Sequence, residues 1–69
     1  MKNLKEMRHD AGLSQHALAI ACSINLWRIS HAELGMLELS RLEQDAIRRV
    51  LAKAINKKTK RFRKLAGAA

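Results

Sequence analysis

The 69-residue chain has no proline, only three glycines and one cysteine, and no acidic residue after Asp45. With proline absent and Ala, Leu, Lys and Arg abundant, the composition favours helix throughout. Sustained alternation of apolar and polar residues is missing as well, so strands lack their usual signal. The single cysteine, Cys22, excludes an intramolecular disulfide and fits a reducing compartment. The N-terminus carries Lys2, Lys5, Glu6, Arg8 and Asp10 with no apolar h-region, and no run approaches membrane length. A secreted or membrane-spanning protein is therefore not expected. What remains is one all-α domain, small enough to bury only about 60% of its unfolded surface.

Residues 13–35 hold two short helical patterns, each opened by a capping residue and separated by a turn of a few residues. Ser14 is expected to cap the first, in which Leu18, Ala19 and Cys22 form an apolar stripe. Asn25 is expected to cap the second, with Ile29 and Ala32 facing inward and Gly35 ending it. Ile24 plugs the angle between the two, and so short a connection makes the second helix cross the first steeply. An earlier helix runs from about Lys2 or Asn3 to Ala11, with Leu4, Met7 and Ala11 on one face and Gly12 as its stop. Ser40 and Glu43 have the spacing of a capping box. From there Leu42, Ala46, Ile47, Val50, Leu51, Ala54 and Ile55 repeat at helical spacing for about four turns. Residues 66–69 read as a frayed end.

Charge divides the chain. Up to Asp45, five basic residues face six acidic ones; beyond it stand Arg48, Arg49, Lys53, Lys57, Lys58, Lys60, Arg61, Arg63 and Lys64, with no acid among them. On a continuous helix Arg49, Lys53, Lys57, Lys60 or Arg61, and Lys64 line one side, and their repulsion predicts fraying beyond Ile55 unless an anion neutralises them. A polyphosphate does so, because each neutralised phosphate releases counterions. The other reading is a solubilising tail. The expected division is residues 1–56 as the domain, with its motif at 14–35, and residues 57–69 as a partly disordered basic extension.

Leu4, Met7, Arg8, Gly12-Leu13-Ser14-Gln15, Leu18-Ala19, Ile29-Ser30, Glu33 and Gly35 together resemble the Cro and phage-repressor type of helix-turn-helix protein, the XRE family. The matched pattern spans roughly three quarters of the chain. Ser23 stands where the family usually has a turn glycine, Leu34 where Arg or Asn is frequent, and Met36-Leu37-Glu38-Leu39 replaces a loop that is usually basic or proline-bearing. The resemblance implies a small four- to five-helix bundle of the lambda-repressor-like type, here with a long basic C-terminal helix or tail. It also implies a sequence-specific regulator of transcription, a repressor, in the cytoplasm and nucleoid of a prokaryote or phage. Double-stranded DNA with a palindromic operator and a homodimer follow, because one reading helix covers only a few base pairs. The last helix or the 36–39 loop is the expected seam.

With Ile29 and Ala32 inward, the outward set on the second motif helix is Leu26, Trp27, Arg28, Ser30 and His31. The family's base-contact positions fall on Leu26, Trp27 and His31, with Arg28 and Ser30 beside them. Arg28 suits guanine O6 and N7 or a phosphate; His31 suits guanine or a phosphate; Leu26 suits a thymine methyl. Trp27 either covers an apolar feature of the groove or a partner, or lies partly buried beneath the 36–39 loop. Gln15 lies in the first turn of its helix, where backbone N–H groups favour a phosphate, and the resemblance implies that its amide contacts the DNA backbone or braces a reader. Arg41, Lys57, Lys58, Lys60 and Arg61 complete the expected DNA-contacting set. Arg8 and Glu33 match a pair that in the family joins the first helix to the recognition helix.

Little else carries chemistry. His9, His16, His31 and Cys22 lack metal-ligand spacing, and no phosphate loop, serine elbow or inward carboxylate pair is present, so neither a cofactor, a metal nor an enzymatic activity is expected. The competing function is a protein-interaction adaptor or antitoxin-like module, using an apolar patch of Leu26, Trp27, Met36 and Leu37.

Overall fold

Local chemistry at the chain's turns sets the helix boundaries. A computed structural model describes residues 3–67, which form α1 (Leu4–Asp10), α2 (Gln15–Cys22), α3 (Leu26–Glu33) and α4 (Arg41–Gly67), with no strand among the described residues. Ser14 Oγ accepts from the Ala17 N–H at 3.0 Å and so opens α2 as a side-chain cap. At α4 the capping box is reciprocal: the Glu43 N–H donates to Ser40 Oγ at 3.2 Å, and the Ser40 N–H to Glu43 Oε1 at 2.9 Å. Asn25 departs from its expected role, since its side chain makes no capping bond. Only its carbonyl takes part, accepting from the Arg28 and Ile29 amides. α1 opens at Leu4; an earlier start at Lys2 lies outside the described residues.

The first three helices end alike. Gly12 (φ 73°), Ser23 (φ 56°) and Gly35 (φ 75°) each take the left-handed conformation just past a helix. In each case the next residue's amide bonds back to the fifth carbonyl before it: Leu13 to Arg8, Ile24 to Ala19 and Met36 to His31. This closure satisfies carbonyls that the helix end leaves unpaired. A side chain in that conformation costs about 1–2 kcal/mol, which glycine escapes and Ser23 does not.

Leu4, Leu18, Ile29 and Ile47 supply one fully buried side chain per helix, joined by Ala11, Ala19, Leu39 and Leu51. Met7, Leu13, Cys22, Ile24, Ala32, Leu37, Val50 and Ala54 pack around them half-buried. The α4 stripe is shorter than its sequence pattern. Leu42 is 80% exposed and Ile55 42% exposed. Leu42 lies about 140° around the helix from Ile47, and Ile55 comes after Leu51, the last buried residue of α4. Leu39, part of a loop in the sequence reading, is instead buried and closes the core beneath the start of α4.

α4 is one helix of 27 residues where fraying past Ile55 is expected from charge. Lys and Arg are good helix formers, and a like-charge pair four residues apart costs only about 0.2–0.5 kcal/mol. Lys58 Nζ also donates to the Asp10 carbonyl at 3.2 Å, anchoring the helix to the end of α1. The molecule is consequently elongated, 46 × 19 × 18 Å. Of the expected frayed end, Ala66 and Gly67 are helical, while Ala68 and Ala69 lie outside the described residues. No helix among the described residues is long and apolar enough to cross a membrane.

Candidate nucleic-acid interface

Three helices meet at a polar brace. Arg8 Nε donates to Glu33 Oε2 at 2.7 Å and Nη2 to Oε1 at 3.1 Å, while Nη1 donates to the Leu13 carbonyl at 2.9 Å. Gln15 Nε2 adds a bond to Glu33 Oε1 at 3.1 Å, so α1, α2 and α3 share one carboxylate. The Arg8 and Glu33 side chains are only 8% and 3% exposed. Burial pushes the Glu33 carboxyl up, but hydrogen bonds from Arg8 and Gln15 together hold it below its ordinary value. The Glu33 hydrogen bond keeps Arg8 firmly charged against its own desolvation. The structure therefore unites Arg8, Glu33 and Gln15 at the C-terminal end of α3.

The side chains expected to face outward on α3 divide into two kinds. Leu26 and Trp27 are exposed, Trp27 by 53%, and Ser30 is half-buried. The indole meets two partners: the His31 ring edge-on, with centroids 5.7 Å apart and planes at 81°, and the Arg28 guanidinium, 5.6 Å from its centroid. His31 Nδ1 lies 2.7 Å from the Trp27 carbonyl.

Arg28 has a partner that the sequence reading lacks: Nε and Nη2 each donate to the Glu43 carboxylate at 2.7 Å, while Nη1 makes no bond among the described residues and the side chain is 28% exposed. The guanidinium holds the Glu43 carboxyl down at about 2, helped by the Ser40 amide. Periodicity places Arg28 on the outer face but says nothing of the acid that α4 brings to it. Glu43 is the functional neighbour that sequence reasoning missed. It reads as half of a capping box, and a carboxylate has acceptor sites enough for both tasks.

The remaining cations sit on α4. Arg41, Lys57, Lys58, Lys60 and Arg61 are all exposed. Arg48 bonds Asp45 and Gln44 along its own helix. Lys53, Lys57 and Lys60 also line an open groove against Leu13 and Ala21, over a floor of Val50 and Ala54. Together with the Lys58 to Asp10 bond, this places the start of the basic segment beside the end of α1 and Leu13, in the turn that leads into α2. Cys22 is half-buried, and burial pushes its thiol up, away from the thiolate. Among the described residues, no cluster of His, Cys, Asp and Glu is arranged to hold a metal ion. The chain matches no protein-family model, no curated protein and no solved structure.

Proposed function

We propose that this chain is a sequence-specific duplex-DNA-binding regulator, a repressor of the Cro and phage-repressor helix-turn-helix type, acting as a homodimer. One arrangement supports the reading: α3 exposes Leu26 and Trp27 in its N-terminal turn and is anchored at its last residue, Glu33, to Arg8 and Gln15, on a body from which the basic end of α4 projects, tied to the end of α1 by Lys58. In this reading α3 enters the major groove and discriminates through Leu26, Trp27, Ser30 and His31. The α4 cations Lys57, Lys58, Lys60 and Arg61 supply affinity by releasing counterions from phosphates. Arg41 adds a further phosphate contact at the opposite end of α4, while Gln15 positions α3 through Glu33.

Exposed Leu34, Met36 and Leu42 flank the loop before α4 and favour that loop as the dimer seam. The same apolar surface, together with Leu26 and Trp27, supports the second reading, an adaptor or antitoxin-like module. A selection from a random duplex library, followed by titration at two salt concentrations, separates the two. A recovered consensus that competes out random duplex supports the regulator. Equal, steeply salt-sensitive binding of all sequences removes base-specific recognition, and no binding of any duplex favours the adaptor.

A further inference from the structure

The first turn of α3 presents an unusual set of groups to a base edge. Arg28 is the only lysine or arginine in that helix, and both oxygens of Glu43 occupy it. His31 Nδ1 faces a carbonyl oxygen, which can only accept, so this nitrogen carries the proton. In the neutral ring Nε2 is then an acceptor. What remains exposed is apolar, Leu26 and Trp27. A guanine edge, with its N7 and O6 acceptors, is best met by a free Arg or Lys. The one such side chain on α3 has its Nε–Nη2 fork held by Glu43.

The apolar group that a base displays in the major groove is the C5 methyl of a pyrimidine. Thymine carries it and uracil does not; 5-methylcytosine carries it and cytosine does not. We infer that Leu26 and Trp27 read the C5 methyl of a pyrimidine in duplex DNA, with His31 Nε2 accepting from the exocyclic amino group of the same base pair. This inference rests on the DNA-binding reading above. Arg28 and Glu43 then serve as positioning residues. Two 2.7 Å bonds fix the guanidinium beside the indole, and the His31 edge braces the ring from another side, so Trp27 loses little rotamer freedom when it is covered.

Two random-sequence duplex pools, one built with thymine and one with uracil, test this directly. Their pairing is the same, and they differ in the C5 methyl. The thymine pool is expected to yield a thymine-containing consensus, whose uracil form binds about fourfold more weakly for each methyl that meets an apolar side chain. Replacing the U·A pair at such a position by 5-methylcytosine·G, with cytosine·G as its control, shows whether that methyl also serves, since the methylated pair is expected to bind more tightly than the unmethylated one. Leu26→Ser and Trp27→Ala are expected to erase the difference between the thymine and uracil forms while keeping the salt-sensitive affinity that the tail supplies. Equal affinity for the two forms of one selected duplex overturns the inference and leaves the regulator reading standing. Failure of both pools to yield any consensus overturns the two together.

Discussion

Arg8 is a charge tolerated inside a small core because each of its donor nitrogens has a partner: two bonds go to Glu33 and one to the Leu13 carbonyl. Removing it strands a carboxylate only 3% exposed, with Gln15 as its remaining donor. Arg8→Ala is expected to cost about 3 kcal/mol and to lower Tm by about 12 °C or more. Arg8→Lys does not restore this, since an ammonium cannot reproduce the planar fork. Thermal denaturation followed by circular dichroism checks both, and an unchanged Tm in Arg8→Ala overturns the role given to the brace. Ser23 runs the other way. It holds φ 56° with no Cβ-free backbone to make that easy, so Ser23→Gly is expected to stabilise the fold by about 0.5–1 kcal/mol after the entropy of glycine is subtracted. A lower Tm in that variant shows that the serine side chain contributes something its geometry does not reveal. Residues such as Gly12 and Gly35 are legible in the sequence because their conformation limits which amino acid can stand there. The Arg8–Glu33 pairing is not legible locally, since 25 positions separate the two and only the family resemblance joins them.

At the scale of elements, the apolar stripes of α1, α2 and α3 can be read from periodicity, because every turn of a short helix touches the core. α4 resists the same reading. Its apolar repeat begins at Leu42 and runs to Ile55, yet neighbouring helices cover only the middle, and a repeat cannot announce where its partner ends. The Arg28 partner is hidden for a related reason: helical angle gives the face a side chain occupies, not the carboxylate that another helix brings to it. The join between α3 and α4 should reveal itself in acid. Glu43 is held at about 2, below its ordinary carboxyl value, by Arg28 and by the Ser40 amide. A carboxyl lowered in the folded state contributes stability that is complete above its unfolded value and is lost as pH falls towards the folded one. For Glu43 that window runs from 4.5 down to about 2. Tm measured through this range is expected to fall more steeply in the parent chain than in Glu43→Gln, which has no proton to gain there. Parallel curves would mean that the Arg28–Glu43 pair adds nothing to folding in solution. Glu33 is also held below its ordinary value, so the difference between parent and variant, rather than the parent curve alone, isolates Glu43.

The whole molecule separates its two tasks along its length. The buried core of α4 ends at Leu51, with Ala54 half-buried beyond it, and every described residue from Ile55 onwards is exposed. Deleting residues 57–69 therefore leaves the core intact and, among the described residues, removes one tertiary hydrogen bond, from Lys58 to Asp10. It also takes away six lysines and arginines from a chain whose net charge is +8. Should these six each meet a phosphate, the slope of log affinity against log salt falls by about 5 on truncation, from a loss of about 0.9 per contact. Selected and random duplexes should weaken alike, because phosphate contacts carry no direct sequence information. Trp27→Ala should do the reverse, narrowing the gap between selected and random duplexes while the slope stays within about one unit of the parent. Titrations of both variants against both duplexes at several salt concentrations resolve the four cases. If the truncated chain keeps its slope, the basic segment is only a solubilising extension, and the attraction to DNA must then arise in residues 1–56. That portion carries six acids against five lysines and arginines outside Arg48, Arg49 and Lys53, so these three α4 cations would have to supply the affinity, a demand that Arg49→Ala and Lys53→Ala would test next.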